Sequence, residues 1–131
     1  MENALRDAEV DRASIGYINA HGTSTPLGDR AEVTAVKALF GEHAGRLAMS
    51  STKSVTGHTL GGAGAIETVA TVKAIVEGVL PPTINLDSPD EGFDLNFVPN
   101  RAQETKVDFA INNSFGFGGH NTSMVLGRFR G

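Results

Sequence analysis

The apolar residues of this chain form short continuous runs and helically spaced sets, which indicate strands and helices respectively. Helical spacing is clearest in Val33, Val36, Leu39 and Phe40, and Gly41 then ends the predicted helix. The other predicted elements are the end of a helix at 2–10, a helix at 61–78, and strands at 15–20, 47–51, 107–114 and 122–129. This alternation predicts an α/β domain with a mixed sheet and no internal domain boundary.

Two finer expectations concern the helices. Asp29 is the predicted N-cap of the first amphipathic helix, and Glu32, three residues later, completes a capping-box pattern. In the helix predicted at 61–78, apolar residues cover most of the circumference. We therefore expect that helix to be buried on several sides.

Composition and charge narrow the class of protein. The chain has 131 residues, 40% hydrophobic and 20% charged, which is typical of a single folded domain. Its net charge of −4 and the lack of a basic stripe argue against a nucleic-acid partner. No apolar run is long enough to span a bilayer and no signal-peptide pattern is present, so we expect a cytoplasmic protein without a membrane association.

The chain contains no cysteine and is rich in glycine, with 16 of 131 residues. The lack of cysteine excludes disulfides, thiolate metal sites and covalent catalysis by a cysteine of this chain. The glycines cluster in "GGAG" and "FGFGGHN", neither of which matches a nucleotide-binding pattern. Close approach of the backbone to a substrate explains them better.

His21 and His58 are the first candidates for chemistry. Each lies in a Gly/Thr-rich loop at the junction of predicted elements, where α/β proteins place functional groups. Taken singly, either could simply satisfy backbone groups; together they indicate a site. They are 37 residues apart and have no further ligand at zinc spacing, so we expect no catalytic metal. Two neutral imidazoles can instead donate hydrogen bonds to one developing oxyanion.

Lys53 is the third candidate. It stands among small residues in "SSTKSVTGHTLGG", so partial burial is expected, with Glu67 as its partner if the segment doubles back. A lysine whose head reaches solvent is the alternative. Phe115 and Phe117 suggest an apolar wall or gate beside the glycine-rich loop, although both could be core residues.

Four motifs in order, "NAHGTSTPLGD", "SSTKSVTGHTLGGAGAIE", "PPTINLDSPDEG" and "NNSFGFGGHN", resemble the C-terminal half of the β-ketoacyl-acyl-carrier-protein synthases. The likeness is greatest to the long-chain elongating enzymes of bacterial type II fatty-acid synthesis, and it runs from Asn3 to Phe129. It implies a thiolase-like fold, in which residues 1–131 form the C-terminal of two similar α/β halves, and a homodimeric intact enzyme.

The resemblance also implies a reaction, a decarboxylative condensation of an acyl thioester with malonyl carried on acyl carrier protein. The phosphopantetheine arm arrives on that carrier, so no cofactor of the enzyme itself is expected. Matching motif to motif, it implies enolate stabilisation by His21 and His58 and organisation of the site by Lys53 with Glu67. It further implies contacts of Thr23 and Thr25 with the phosphopantetheine arm, and a gate with an oxyanion-hole amide at Phe117.

Some members of this family hold a structural cation, and the matching residues are Asn19, Glu67, Asn112 and Asn113. Their oxygen atoms suit a hard or monovalent ion. The possible site is structural and carries no catalytic metal.

The nucleophilic cysteine of the family lies in the N-terminal half, and this chain has none. We therefore expect a fragment that does not condense acyl groups alone and that exposes apolar surface. Three alternatives stay open: a polyketide ketosynthase, although modular ones more often show "EAHGTGT"; a non-catalytic partner subunit such as a chain-length factor; and a split protein assembled from two half-chains.

Overall fold

The computed structural model describes all 131 residues, and four helices and six strands make up its regular structure. The helices are α1 (Glu2–Asp7), α2 (Pro26–Phe40), α3 (Lys53–Thr56) and α4 (Ala63–Glu77). The strands are β1 (Ile15–Asn19), β2 (Ala48–Ser50), β3 (Val79–Leu80), β4 (Gln103–Glu104), β5 (Phe109–Phe115) and β6 (Asn121–Gly127). Short 3-10 turns occupy Arg12–Ser14, Gly41–Gly45, Leu60–Gly62 and Phe117–Gly119.

The main sheet has the strand order β2, β1, β5, β6. Strand β1 runs parallel to both of its neighbours, whereas β6 runs antiparallel to β5. The predicted mixed sheet is therefore confirmed. Because β2, β1 and β5 are parallel, their carboxyl ends meet at one edge, and the loops that leave this edge carry the polar motifs of the sequence.

Helices cover both faces of this sheet. Successive strand residues face opposite sides, so Ile18 of β1 and Ile111 of β5 join a core cluster with residues of α1 and α2. Tyr17 and Ala110, one position earlier on the same strands, join a second cluster with Ala74 of α4. The sheet thus separates two hydrophobic cores, which fixes α2 and α4 relative to the strand ends.

The start of α2 differs from the prediction. The helix begins at Pro26 after Thr25 as N-cap, so the expected N-cap at Asp29 is wrong and that residue lies in the first helical turn. Proline has no backbone N–H and its fixed φ suits the first helical position, which explains the earlier start. Glu32 does not form a capping box; its buried side chain reaches back to the loop after β1.

The burial of α4 also differs from the prediction. Its buried stripe includes Ala63, Glu67, Thr71, Ala74 and Ile75, so polar groups occupy part of it. The expectation of burial on several sides is wrong, because one face is open and exposes the apolar residues Ile66, Val69, Val72 and Val76. Gly78 adopts the left-handed conformation and ends the helix. No helix of the chain is both long enough and apolar enough to cross a membrane.

The long Pro/Asp/Asn-rich connection between β3 and β4 lies against the strand edge. The Met49 N–H donates to the Asn96 carbonyl over 2.8 Å, which adds this segment beside β2. Lys37 of α2 forms an ion pair with Asp94 and donates to the Gly92 carbonyl over 2.8 Å. These contacts place the connection along one side of the cavity described below.

Because α2 packs into a core while one face of α4 is open, a valine-to-alanine substitution should lower the free energy of unfolding by different amounts in the two helices. Val36 is fully buried, whereas the side of α4 that carries Val69 is open and that residue is 62% exposed. Val36→Ala should lower the free energy of unfolding by about 2 kcal/mol, because two methyl groups leave a packed core. Val69→Ala should change it by less than about 0.5 kcal/mol. Urea unfolding measures both, and equal effects would contradict this assignment of faces.

Candidate active site

The candidate residues lie at the edge where the parallel strands end. β1 ends at Asn19, and His21 follows in the next loop. β2 ends at Ser50, and Lys53 follows as the first residue of α3, a short helix that the apolar spacing does not predict. Helix α3 then leads to His58. The polar residues thus come from two neighbouring strand ends, which accounts for their separation in sequence.

The two histidines are neighbours in space, as the hypothesis of a shared oxyanion requires. Their ring centroids are 5.6 Å apart and the ring planes stand at 87°. Phe115, the last residue of β5, covers His21 with a centroid distance of 5.4 Å. His58 is exposed, whereas His21 is partly buried. One edge of the imidazole pair therefore remains open to a ligand.

Buried Glu32 holds the loop that carries His21. The backbone N–H groups of His21 and Gly22 donate to its two carboxylate oxygens, each over 3.0 Å. Asn113 of β5 donates to the same carboxylate over 3.0 Å. Burial raises the pKa of Glu32, while these three donors oppose the rise by favouring the charged form.

Glu32 belongs to the site, although the sequence pattern indicates only a capping role for it. Its sequence signal is a carboxylate on the apolar face of a helix, one turn before Val36 and beside Val33. A charged residue is rarely buried on such a face without partners. The capping-box pattern led to the wrong interpretation, since the side chain reaches the preceding loop and not the helix N-terminus.

Gly22 is required by the geometry of this loop. Its φ is +37°, and a Cβ atom there would lie 2.6 Å from the Cβ of Ser51. The Ser51 hydroxyl donates to the Gly22 carbonyl over 2.6 Å. Glu32 and Ser51 thus hold the peptide groups on either side of Gly22, and the position of His21 follows from both contacts.

A backbone hydrogen bond sets the tautomer of His58. The N–H of Leu60 donates to Nδ1 of His58 over 3.2 Å. An accepting Nδ1 carries no proton, so the proton of the neutral ring lies on Nε2. Leu60 has φ +50°, an uncommon conformation for a non-glycine residue, and this conformation is part of the turn that presents the amide. Nε2 of His58 is therefore a hydrogen-bond donor.

His21 stays neutral at physiological pH. Burial, followed by the nearby Lys53 ammonium and by His58, lowers the pKa of His21 from 6.5 to about 4. All three causes disfavour a second proton on the ring. His21 therefore presents a neutral imidazole, whose N–H group can donate without acting as a strong acid.

Lys53 and Glu67 form an ion pair whose side chains are 5% and 1% exposed, so the expected pairing is confirmed. The alternative of a lysine reaching solvent is wrong, because the ammonium lies inside the fold. Neither charged group has a further hydrogen-bond partner. Asn19 holds α4 in place at Glu67, because its side-chain amide donates to the backbone carbonyl of Glu67 and to the Thr71 hydroxyl, both over 3.2 Å. Burying charge in this way stabilises the pair only while both partners are present.

A cavity of about 600 Å³ opens beside this cluster. The Thr23 and Thr25 hydroxyls, 3.3 Å apart, lie on its wall. Other lining residues are Glu32, Lys53, His58 and Phe93. His21 and Phe117 are not part of this wall, and the Phe117 side chain is 99% exposed in the turn after β5. Of the two expected phenylalanines, Phe115 contacts His21.

The four residues expected at a cation site fit only in part. Oε2 of Glu67 and Oδ1 of Asn112 are buried acceptors without a hydrogen-bond partner, whereas Oε1 of Glu67 pairs with the Lys53 ammonium. Oδ1 of Asn19 and Oδ1 of Asn113 each already accept a hydroxyl hydrogen bond. Because Lys53 balances the charge of Glu67, the remaining oxygens suit a monovalent ion better than a divalent one.

Comparison with known proteins assigns the family. The family model for the C-terminal domain of β-ketoacyl synthases matches residues 1–87, about two thirds of the chain. The chain belongs to the β-ketoacyl synthase C-terminal domain family. The resemblance read from the four motifs is thereby confirmed.

Individual relatives of this synthase domain agree. The chain is 59% identical to 3-oxoacyl-[acyl-carrier-protein] synthase 2 of Coxiella burnetii over 98% of its own length. A β-ketoacyl synthase from Burkholderia phymatum superposes with a TM-score of 0.92 at 41% identity, covering 99% of this chain and 31% of that one. A ketosynthase in complex with its type II polyketide acyl-carrier protein superposes with a TM-score of 0.95 at 37% identity, covering 98% and 32%. The chain spans 31% of the Coxiella relative.

The buried pair predicts a strong dependence on both charges. Lys53→Met or Glu67→Gln alone should lower the free energy of unfolding by about 3–5 kcal/mol, since each leaves one buried charge unpaired. The double variant should lose less than the sum, with a coupling on the order of 1–3 kcal/mol. The control is Lys73→Met in the exposed Lys73–Glu77 pair of α4, which should cost less than about 1 kcal/mol. Additive effects in urea unfolding would contradict the pairing.

The low pKa of His21 predicts a stability change with pH. An unfolded histidine binds its proton near pH 6.5, whereas folded His21 binds it near pH 4. Between these values the unfolded chain takes up the proton first, so the contribution of His21 is complete above 6.5 and is lost as the pH falls towards 4. Urea unfolding at several pH values should show a shallower decline for His21→Gln. The same slope in both proteins would refute the assignment.

Proposed function

We propose that this chain provides the enolate-stabilising part of a 3-oxoacyl-[acyl-carrier-protein] synthase. The observation that carries the proposal is the pair of imidazoles 5.6 Å apart, one held neutral and the other with its proton directed to Nε2. Two neutral donors beside one open cavity suit a thioester oxygen that gains negative charge.

The proposed reaction begins with a malonyl thioester in the cavity. The bond between its terminal carboxylate and its α-carbon breaks, carbon dioxide leaves, and the electron pair passes to the enolate. His21 and His58 donate hydrogen bonds to the enolate oxygen. The α-carbon then forms a bond to the carbonyl carbon of the acyl thioester, whose sulfur leaves as thiolate. Removing one such donor from an oxyanion site typically costs about 10²–10³ in rate.

Neutral histidines suit this reaction better than charged ones. An imidazolium beside the enolate would transfer its proton to the α-carbon and end the reaction before condensation. A neutral imidazole N–H is a far weaker acid, so it stabilises the charge without protonating the carbanion. The low pKa of His21 favours this state across the physiological range.

The acyl thioester requires a nucleophile that this chain lacks, since it contains no cysteine. We propose that the thiol comes from the rest of a complete synthase, since these residues span only 31% of the length of the Coxiella relative. The 131 residues alone would then not condense acyl groups. The Thr23 and Thr25 hydroxyls on the cavity wall would contact the phosphopantetheine arm of an acyl carrier protein. Phe117 would gate the site from its exposed turn.

Further properties of the complete synthase follow the same proposal. A homodimer in the cytoplasm, acting on malonyl and acyl thioesters, is the expected form. A monovalent cation would bind at Oε2 of Glu67 and Oδ1 of Asn112, which are buried and not engaged by Lys53, and would supply structural support near the strand end. Fatty-acid elongation is preferred over a polyketide role because identity is 59% to the 3-oxoacyl-[acyl-carrier-protein] synthase 2 and 37% to the type II polyketide ketosynthase.

The test uses a complete synthase that carries these 131 residues as its C-terminal part. His21→Ala and His58→Ala should each slow malonyl decarboxylation by about 10²–10³, while acyl transfer to the cysteine continues. His43→Ala is the control, since His43 contacts the Ile15 carbonyl at the opposite end of β1. Unchanged decarboxylation in both site variants would overturn the proposal.

A further inference from the structure

Two polar residues of the β5–β6 pair have no part in the reaction proposed above. Asn113 of β5 is fully buried, and Ser123 of β6 stands directly opposite it in the sheet register. The Ser123 hydroxyl donates to Oδ1 of Asn113 over 2.7 Å. A strand pair does not need such a side-chain bond, because the backbone ladder already joins the two strands.

The direction of this bond follows from Glu32. A carboxylate can only accept, so the amide nitrogen of Asn113 must face Glu32, as the 3.0 Å contact shows. Oδ1 of Asn113 then faces Ser123 and needs a donor, and a serine hydroxyl can supply one. The orientation of the Asn113 amide is therefore fixed from both ends.

The same carboxylate holds the backbone N–H groups of His21 and Gly22, each over 3.0 Å. A continuous series of hydrogen bonds thus runs from Ser123 through Asn113 and Glu32 to the peptide that carries His21. Asn113 and Glu32 are buried, so losing the Ser123 contact leaves Oδ1 of Asn113 without water to replace it.

We propose that Ser123 and Asn113 are positioning residues, which hold the backbone of His21 through Glu32. Neither touches the substrate cavity. Their effect on catalysis rests on the proposed function, whereas their effect on the His21 loop does not. Strand β6 thereby gains a role in the site although it contributes no catalytic side chain.

The first test compares Ser123→Val with Ser123→Thr in the 131-residue chain. The two variants have nearly the same shape and both favour a strand, so they differ mainly in the hydroxyl. Ser123→Val should raise hydrogen exchange of the His21 and Gly22 amides roughly two- to tenfold. Ser123→Thr should leave it near the wild-type rate. The Ala20 amide, bonded to the Ser50 carbonyl, serves as the internal reference.

The control is Thr122→Val, the preceding and exposed position of the same strand, which should leave both amides unchanged. A selective increase in Ser123→Val supports the proposal. No increase, or an equal increase along β5 and β6, overturns it, because the latter would show a loss of strand stability only.

The second test measures malonyl decarboxylation in the complete synthase. Ser123→Val should lower kcat roughly two- to tenfold with little change in KM, and Ser123→Thr should retain the wild-type kcat. If His21→Ala has no effect on decarboxylation, the proposed function fails, while the exchange result still decides whether the series of hydrogen bonds exists. If His21→Ala slows the reaction and Ser123→Val does not, the positioning role fails alone.

Discussion

A lysine and a glutamate buried together behind two histidines are the constraint on which this site depends. The Lys53 ammonium and the Glu67 carboxylate are almost inaccessible to water, so each requires the other. Their pairing joins α3 to α4 beneath the end of β1, and Asn19 fastens the same helix to that strand. The ammonium also acts on the histidines, because its charge helps to keep a second proton off His21. One interaction therefore joins the helices beside the strand ends and, second to burial, helps to keep His21 neutral.

The second constraint is the carboxylate of Glu32, which holds the loop that follows β1. It receives two backbone amides and one side-chain amide, so the peptide of His21 is fixed independently of the ring. For the second histidine, the backbone amide of Leu60 donates to Nδ1 of His58 and orients that ring. Backbone groups thus define the position of one histidine and the tautomer of the other. This division suits a site in which donors must be in place before charge develops.

Much of this arrangement can be predicted from the sequence, for reasons that are local. The mixed sheet, the ends of α2 and α4 at glycines, and the grouping of His21, Lys53 and His58 follow from apolar spacing and from motifs at strand ends. The start of α2 is also set locally, because Pro26 suits the first helical position and the predicted N-cap at Asp29 therefore lies too late. Two features could not be predicted because they depend on packing across the fold. The open face of α4 is set by which side meets the sheet, and its apolar composition does not determine that. Glu32 fits a capping box in sequence, yet its carboxylate meets amides of a preceding loop.

The central claim is that the histidines form a neutral pair whose protons are placed for donation. Nitrogen-15 NMR of the imidazole rings in the folded chain can test this, in mildly alkaline buffer for the tautomer of His58 and between pH 6.5 and 4 for the charge of His21. We expect His58 to carry its proton on Nε2, with Nδ1 unprotonated and coupled to the Leu60 amide, and His21 to be neutral. A proton on Nδ1 of His58, or a doubly protonated His21, would contradict it.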